Sequence, residues 1–442
     1  MKNNFLVFIC FTFLFSNQAK AQTVFGPVPT KEQLAWHNKE YYLFMHFGPN
    51  TFTDLEWGHG SEDPNVFNPT AIDCDQWVRI AKAAGAKGII ITAKHHDGFC
   101  LWPSNYSKHT VRESKWLNGK GDVIKMLSDA CKKGGLEMGV YISPWDRNHP
   151  EYGTAAYNDV YINTMKELLT KYGNFFELWW DGANGEGPNG KKQVYDFTRF
   201  KDSALKYQPQ LIIFSDIGPH ARWIGNEKGI ISSTNWNLLD TVGFKRGEGA
   251  PANDTLNTGN YNGHHWIGAE ADVSIRKGWF YHQEEDKTVK SGSDLFNIYL
   301  QSVGHGGNLL LNVPPNRMGL IAPQDSASLM QFKEIRENAF KKNLFKNARI
   351  LRTGSSVEIH LKSPTTLNAL VLQEAISMGQ RVVKFEITGG NSVKKFYPIS
   401  SGTTIGHKRI IQFPAQKIQY IRVHITEAKA TPIISNVEGY LF

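Results

Sequence analysis

Short apolar runs alternate with amphipathic stretches between about residues 37 and 340 of this 442-residue chain. The amphipathic stretches carry apolar residues at helical spacing and predict helices, for example over residues 73–85, 122–135 and 161–173. The apolar runs predict strands that are buried on both faces. They cover residues 41–48, 88–95, 137–144, 175–182, 211–216, 266–273 and 307–314.

Strands that alternate with helices in this way predict a parallel sheet covered by helices. Seven or eight such units fit a (β/α)8 barrel, which typically takes about 250 residues, and a doubly wound sheet is the alternative. The first strand is not followed by a Gly-rich phosphate loop, which disfavours the doubly wound sheet. Polar residues also recur at the carboxyl ends of the strands, where barrel enzymes place their sites. They are His46, His95, His96, Tyr141, Asp181 and Asp216.

The pattern changes after residue 342 to alternating apolar and polar positions separated by short polar breaks. This period-two pattern predicts an antiparallel β-sandwich. We therefore predict an α/β chain in which a (β/α)8-type barrel, residues 22–342, is followed by a β-sandwich domain, residues 343–442. The polar, Gly- and Asn-rich stretch 244–265 predicts a long loop over the active face of the barrel.

The first residues have the features of a secretory signal peptide. Lys2 precedes an apolar run over residues 5–15, and Ala19-Lys20-Ala21 supplies a cleavage pattern of small residues. The apolar run is too short to span a bilayer, and no later segment is apolar enough to do so. We expect cleavage after residue 21 and export to a periplasm or the extracellular space.

Composition narrows the range of partners. The formal charge of +8 is spread along the chain without a dense Lys/Arg block, so we expect no nucleic-acid partner. Three of the four cysteines lie beyond residue 21, and they are far apart and lack metal-site spacing. An odd number of cysteines in an exported protein argues against a disulfide scaffold.

The stretch ELWWDGANG, residues 177–185, ends the fourth predicted strand on Asp181. A turn is one interpretation, because Asp-Gly is a common turn pair. A catalytic carboxylate at the mouth of the barrel is the other. Because side chains alternate along a strand, Trp179 would share the inward face with Asp181, whereas Trp180 would point toward the helices. An indole beside a carboxylate suits a sugar site, where the ring stacks on C–H faces.

Two adjacent histidines follow the second strand in AKHHDGF, residues 93–99. On a strand, His95 and His96 would point to opposite faces, which makes them poor ligands for one metal ion unless the strand has already ended before them. They could hydrogen-bond sugar hydroxyls, or one could be buried and structural. We predict no metal and no cofactor. A metal-dependent hydrolase that uses His95, His96 and Asp97 is an alternative, and turnover that is insensitive to a chelator would exclude it.

An aspartate nucleophile needs a second carboxyl group to protonate the leaving oxygen. Glu227 lies in RWIGNEKG after the fifth strand, and Glu270 lies in WIGAEADV on or after a later strand. Either could be an ordinary ion-pair partner. The segment FMHFGPNTFTDLEWG, residues 44–58, adds His46 and the pair Glu56-Trp57 beside the first strand.

Together these motifs resemble glycoside hydrolase family 29, the α-L-fucosidases. The resemblance is carried, in family order over about residues 40–320, by MHFGPNTF with EWG, AKHHDGFCLWPS, GVYISPWD, ELWWDGANG, SIRKGWFYH and GNLLLNVPPNRMG. It implies a retaining exo-glycosidase in which Asp181 attacks C1 of an α-L-fucosyl residue and forms a covalent fucosyl-enzyme. It implies Glu227 as the acid/base, with Glu270 as runner-up. The implied fucose pocket comprises His46, Glu56, Trp57, His95, His96, Tyr141 and Trp179.

The context of Glu227 is similar to that in the subfamily acting on branched α-1,3/1,4 linkages. We therefore expect the chain to release terminal α-L-fucose from such oligosaccharides or glycoconjugates. A broad-specificity α-L-fucosidase and a catalytically silent fucose-binding protein are the alternatives. The expected partner is the fucosylated glycan, and the sequence leaves the oligomeric state open.

Overall fold

The computed structural model describes residues 23–442. The predicted signal peptide, residues 1–21, lies outside the described residues. Within the described part of the chain, no helix is long and apolar enough to cross a membrane. Cys74, Cys100 and Cys131 are buried free thiols, as the argument against a disulfide scaffold predicts.

Eight parallel strands close into a barrel, which confirms the predicted architecture. The barrel strands are β1 (Tyr41–Met45), β2 (Gly88–Lys94), β3 (Glu137–Ile142), β4 (Glu177–Trp179), β5 (Ile212–Ser215), β6 (Ala221–Trp223), β9 (Gly268–Ser274) and β10 (Asn308–Asn312), while β7 (Leu238–Leu239) and β8 (His265–Trp266) form a separate antiparallel ribbon. Around the barrel the strands follow chain order, with β6 pairing with β9 and β10 pairing with β1.

Helices surround the barrel in the described residues, and the three windows predicted from periodicity are confirmed as α3, α4 and α5. The α-helices are α1 (Lys31–His37), α2 (Asn50–Thr53), α3 (Cys74–Ala83), α4 (Val123–Gly134), α5 (Tyr157–Lys171), α6 (Phe197–Tyr207), α7 (Asn253–Thr258), α8 (Gly292–Ser302) and α9 (Pro323–Ala339). Local sequence sets their ends. The Asp122 carboxylate caps α4 by accepting a hydrogen bond from the Lys125 amide at 2.9 Å, and Gly135 ends α4 with a left-handed φ of 64°.

Strand β6 is a barrel strand that the apolar pattern did not predict. Only residues 216–220 separate it from β5, so the connection contains no helix. The chain reverses there through Gly218, whose φ is 90°, and the His220 amide donates to the Ile213 carbonyl at 3.1 Å. A strand of three residues is too short to show a period of its own. Its position brings the following segment, with Glu227, to the carboxyl end of the barrel.

The polar stretch 244–265 is not one long loop, and that prediction was wrong in part. It contains α7, and its last residue pairs with β7 in the ribbon. Leu256 on α7 is buried with Ile217, Leu239 and Ile267. A single apolar side chain therefore anchors this helix, and its polar surroundings conceal it in the sequence.

The region after the barrel is an antiparallel β-domain, as its period-two pattern predicts. Its strands are β11 (Arg349–Thr353), β12 (Ser356–Glu374), β13 (Val382–Ser392), β14 (Lys395–Thr403), β15 (Arg409–Ala428) and β16 (Ile434–Tyr440). The long strands β12 and β15 pair along most of their length and link all six strands into one hydrogen-bonded network. The pairing of β12 is irregular between His360 and Thr365, around Pro364, which cannot donate to the ladder.

The β-domain packs against the barrel. Ala369, Val371 and Ile410 belong to the same apolar cluster as the barrel and its helices. Gln380 bridges the two units, because its Nε2 donates to the Asn235 carbonyl at 2.7 Å and its Oε1 accepts from the Asn237 amide at 2.9 Å. Packing is therefore one established role of the β-domain.

Candidate active site

A cavity of about 230 Å³ lies at the carboxyl ends of the barrel strands. Nine of the ten predicted site residues line it, and Glu270 does not. The nine come from different strand exits along the chain, so only the closed barrel brings them together. They are His46, Glu56, Trp57, His95, His96, Tyr141, Trp179, Asp181 and Glu227.

Asp181 lies two residues past the end of β4 and is partly exposed to the cavity. Its Oδ2 accepts a hydrogen bond from the Tyr141 hydroxyl at 3.0 Å, and its Oδ1 accepts one from the Ala183 amide at 2.7 Å. His96 Nε2 lies 3.7 Å from Oδ2. These donors stabilise a carboxylate and fix its orientation, while each oxygen keeps a further lone pair for chemistry.

The loop after Asp181 bends across an indole ring. At Gly185, a Cβ would lie 2.1 Å from the ring of Trp145, so only glycine permits this approach. Trp145 in turn donates from Nε1 to the Glu186 carbonyl at 3.0 Å. Gly185 therefore lets the loop after Asp181 pack closely against Trp145.

Glu227 lies on the segment after β6 and faces the cavity. Its Oε2 accepts a hydrogen bond from Trp279 Nε1 at 3.2 Å. Partial burial raises the pKa of Glu227 above its ordinary value, and the negative charges of Asp181 and Glu56 add to the increase, against the Trp279 hydrogen bond. A carboxyl group with a raised pKa beside a carboxylate is the pairing that acid–base chemistry on a glycosidic bond requires.

Both adjacent histidines line the cavity, because the strand has already ended before them. Strand β2 ends at Lys94, and the alternation of a strand no longer applies to the next two residues. The rings of His95 and His96 lie 4.1 Å apart between centroids. Burial lowers the pKa of His96 to about 4 and also lowers that of His95. Both are therefore neutral near pH 7.

His46 is held in one tautomer. The amide of Asn312 donates from Nδ2 to Ser274 Oγ and to the Trp279 carbonyl, so its Oδ1 accepts from His46 Nδ1 at 2.9 Å. Burial lowers the pKa of His46 to about 3. The neutral ring therefore presents Nε2 as an acceptor toward the cavity.

Glu56 joins two loops at the cavity. Its carboxylate accepts from the backbone amides of Trp279 and Phe280 at 2.8 and 3.3 Å, and from His282 Nε2 at 2.6 Å. The next residue, Trp57, is 53% exposed and packs edge-on against His96. Glu56 therefore fixes the loop that carries Trp279, and Trp57 forms an open aromatic wall.

Trp179, the last residue of β4, and Trp180, which follows it, point in different directions, as predicted. Trp179 lines the cavity and stacks on Phe214 at 4.2 Å between centroids. Trp180 is fully buried and packs against Phe197 and Phe200 at the start of α6. The inward ring is a wall of the site, and the outward ring is part of the core between barrel and helix.

Glu270 lies within the barrel beside the cavity wall and not on the cavity surface. It is fully buried, accepts from Trp179 Nε1 at 2.9 Å and is hydrogen-bonded to the Tyr42 hydroxyl. Burial and the neighbouring Glu177 carboxyl raise its pKa well above the ordinary value. Its contacts are with side chains of the site and the barrel interior, which leaves Glu227 as the acid that faces the cavity.

Four cavity residues were not among the predicted set: Phe44, Ala183, Asp272 and Trp279. Phe44 precedes His46 by two positions at the end of β1, and Ala183 follows Asp181 by two, so their proximity to the site could have been read from spacing. Trp279 stands within the quoted stretch SIRKGWFYH but had no assigned role. Asp272 follows the candidate Glu270 by two positions on one strand, so its inward direction could also have been read from spacing.

Within residues 23–442, no group of three or more His, Cys, Asp or Glu side chains is arranged to hold a metal ion. His95 and His96 are directed into the cavity beside Asp181, while the Asp97 Oδ1 accepts from the Phe99 amide at 2.6 Å. Asp97 therefore serves the turn after β2.

Comparisons with known proteins agree on one family. The model of the α-L-fucosidase family matches residues 15–334. The alpha-L-fucosidase 1 of Arabidopsis thaliana is 40% identical over 449 residues, covering 94% of this chain and 88% of its own. A crystal structure of a glycoside hydrolase 29 family member from an unknown rumen bacterium superposes with a TM-score of 0.89 at 42% identity, covering 95% of this chain and 78% of that one. A Ruminococcus gnavus fucosidase of the same family, in complex with fucose, has a TM-score of 0.85 at 29% identity, covering 96% and 97%.

Proposed function

The chain belongs to glycoside hydrolase family 29 and is an α-L-fucosidase, and we propose that it works by a retaining, two-step mechanism with Asp181 as nucleophile and Glu227 as acid/base. The observation that carries the proposal is that these two carboxyl groups line one small cavity. Burial, and then the charge of Asp181, raise the pKa of Glu227 there. Retention requires the carboxyl groups about 5 to 5.5 Å apart.

In the first step, Asp181 attacks C1 of the fucosyl residue while Glu227 gives its proton to the departing glycosidic oxygen. The product is a covalent fucosyl-enzyme and a free acceptor sugar. The hydrogen bonds from Tyr141 and the Ala183 amide hold the attacking carboxylate in place. The raised pKa of Glu227 keeps its proton available for this step.

In the second step, the deprotonated Glu227 takes a proton from water, and the resulting oxygen nucleophile displaces Asp181 from C1. Two inversions at C1 return the α-anomer of fucose. Glu227 regains its proton and Asp181 its charge, so the enzyme is restored without any further reactant.

The neutral histidines supply recognition of the sugar hydroxyls. His46 offers an acceptor at Nε2, and His95 Nδ1 is buried without a partner among the described residues. Unpaired buried polar groups gain most when a ligand satisfies them. The rings of Phe44 and Trp179 supply an apolar wall, which suits the C5-methyl group of fucose.

For linkage, we propose α-1,3 and α-1,4 fucosyl bonds in branched oligosaccharides or glycoconjugates. The proposal rests on the resemblance of the segment around Glu227. It is supported by the exposed ring of Trp57 and the indole of Trp279 beside Glu227, because aromatic rings at the mouth can stack on the sugars that carry the fucose.

Stereochemistry and chemical rescue test the mechanism. NMR during early turnover should show α-L-fucose as the first product, and early β-L-fucose would contradict retention.

Asp181→Ala should lower kcat by about a thousandfold or more while fucose still binds. Azide should restore turnover in this variant with β-fucosyl azide as product, because a small anion replaces the missing carboxylate. Substantial activity of Asp181→Ala without azide would show that Asp181 is not the nucleophile.

A panel of substrates tests the linkage. Mature protein is given oligosaccharides fucosylated through α-1,2, α-1,3, α-1,4 and α-1,6 bonds, and released fucose is measured. Release mainly from branched α-1,3 and α-1,4 substrates is expected. Similar rates on all four would indicate broad specificity, and a preference for α-1,2 bonds would contradict the proposal.

A further inference from the structure

Asp272 is a fourth acid on the cavity surface, besides the two proposed catalytic carboxyl groups and the loop-bridging Glu56. It lies on β9 two residues after Glu270 and is 3% exposed. Lys228 pairs with Val273 in an isolated bridge, so the segment that carries Glu227 runs directly beside Asp272. The position adjoins the reacting groups and not the rim of the pocket.

One oxygen of this carboxyl group has no partner. Asp272 Oδ1 is buried and makes no hydrogen bond within residues 23–442. A buried polar atom without a partner is destabilising. Such an atom on the wall of a sugar pocket is satisfied when a hydroxyl group of the ligand reaches it.

From this geometry we propose that Asp272 is a substrate-binding residue whose carboxyl group hydrogen-bonds one ring hydroxyl of the bound fucosyl residue. The inference rests on the proposed function, because it takes the cavity to be the fucose site. It adds a contact outside the set of residues that the family resemblance supplies.

The chemistry of the group fits a hydroxyl partner. Burial raises the pKa of Asp272 well above its ordinary value, and the neighbouring Glu227 and Glu270 carboxyl groups add to the increase. The neutral form of Asp272 is therefore favoured. A neutral carboxyl group donates through its O–H and accepts through its carbonyl oxygen, which matches the dual character of a sugar hydroxyl. It also adds no further negative charge beside the Asp181 carboxylate.

Hydroxyl-specific kinetics test the contact. The kcat/KM of wild type and of Asp272→Leu is measured on an aryl α-L-fucoside and on its 2-, 3- and 4-deoxy analogues. The substitution should lower kcat/KM by about 10- to 100-fold on the parent substrate. On one deoxy analogue the loss should nearly vanish, because the partner hydroxyl is already absent. An equal loss on all four substrates would overturn the proposal.

Two further variants separate recognition from folding and from charge. Asp272→Asn keeps a donor and an acceptor without a charge, so it should recover most of the lost kcat/KM. An Asn variant with kcat/KM as low as that of the Leu variant would overturn a neutral hydrogen-bonding role.

Asp216→Asn is the matched control. Asp216 is also a largely buried aspartate at a strand end with an oxygen that lacks a partner among the described residues, but it does not line the cavity. Its variant should leave the pattern across the deoxy analogues unchanged.

A binding measurement keeps this test independent of the mechanism. In the Asp181→Ala background, Asp272→Leu should weaken the Kd for fucose, measured by calorimetry, by about tenfold. An unchanged Kd would overturn the role of Asp272 and leave that of Asp181 intact. Failure of the Asp181 rescue experiment, with the Kd effect present, would overturn the mechanism alone.

Discussion

At the scale of single residues, the indole of Trp279 forms the hydrogen bond that orients Glu227, the proposed acid/base. Trp279 Nε1 donates to Glu227 Oε2, and the Trp279 backbone amide donates to Glu56. His282 bridges Glu56 and Asp54 through its two ring nitrogens, at 2.6 and 2.9 Å. Hydrogen bonds therefore connect the loop after β9 to the loop after β1. Through its indole, Trp279 in this loop orients Glu227 and favours its ionised form.

Trp279→Phe should move the alkaline limb of the pH profile. The indole hydrogen bond stabilises ionised Glu227 and lowers its pKa, so its loss raises that pKa further. The acid then keeps its proton to higher pH, and the alkaline limb of kcat/KM should shift upward by about half a unit to one unit. Trp57→Phe, at the same mouth but without a bond to Glu227, serves as the control. A downward shift of the limb in Trp279→Phe would contradict this account.

Much of the site could be predicted because its residues stand at strand ends. The positions of Asp181, His46 and Tyr141 follow from counting along apolar runs, since parallel strands of a barrel bring their carboxyl ends to one face. The direction of His95 could not be predicted, because it depends on β2 ending at Lys94. The indole bond of Trp279 depends on the fold of the loop after β9, which the local sequence does not determine.

At the scale of elements, β4 and β9 hold two facing carboxyl groups inside the barrel. Glu177 accepts from Trp36 Nε1 at 2.8 Å, and Glu270 accepts from Trp179 Nε1 at 2.9 Å. Burial raises the pKa of Glu177 to about 7 and raises that of Glu270 further. The Trp179 indole, a wall of the active site, is therefore hydrogen-bonded by a buried acid whose neutral form is favoured in the folded protein.

Glu177→Gln should make folding less dependent on pH. The folded-state pKa of Glu177 lies above its unfolded value, so its neutral form stabilises the fold at low pH. This stability is lost as the pH rises from about 4.5 to about 7. Glutamine cannot ionise and can still accept from Trp36. From pH 5 to pH 8 the free energy of unfolding of the variant should therefore improve relative to wild type by about 1–3 kcal/mol.

Urea denaturation at the two pH values measures this change. Glu186→Gln, a loop glutamate outside the barrel interior, is the control and should follow wild type at both values. The difference in stability between Glu177→Gln and wild type should change between pH 5 and pH 8. If it is the same at both values, Glu177 does not titrate as described.

The elements were predictable where they are long. Strands β1, β2 and β3 and helices α3 and α4 have apolar runs or helical periods that stand out from their surroundings. Strand β6 and helix α7 are too short for that, and each depends on tertiary contacts, such as the burial of Leu256 under Ile217 and Ile267. Short elements of this kind are set by the packing around them.

At the scale of the whole molecule, the β-domain and the barrel share buried surface and polar contacts. Lys408 forms an ion pair with Glu40, and Arg409 Nη1 donates to the Ser233 carbonyl at 2.8 Å. Gln380 is buried between the two units and satisfies two backbone groups of the segment after β6. Contacts of this kind couple the stability of the two units.

Gln380→Ala should lower the stability of the barrel although Gln380 lies in the β-domain. All 12 tryptophans lie between residues 36 and 279, so tryptophan fluorescence reports on the barrel and its interface with the β-domain, while circular dichroism reports on both units. The variant leaves two backbone groups unpaired, and we expect a loss of about 1–3 kcal/mol. Both signals should shift together in urea. Gln412→Ala, an exposed position on β15, is the control, and a shift in circular dichroism alone would contradict coupling.

The short connection between β5 and β6 has a consequence for how such a chain can be rearranged. Where the other barrel strands are joined through helices, residues 216–220 connect the parallel strands β5 and β6 directly. The segment after β6 is hydrogen-bonded to the β-domain through Gln380. The two units are therefore not interchangeable parts. In evolution by recombination, or in engineering by domain exchange, the barrel and its β-domain would have to be transferred together.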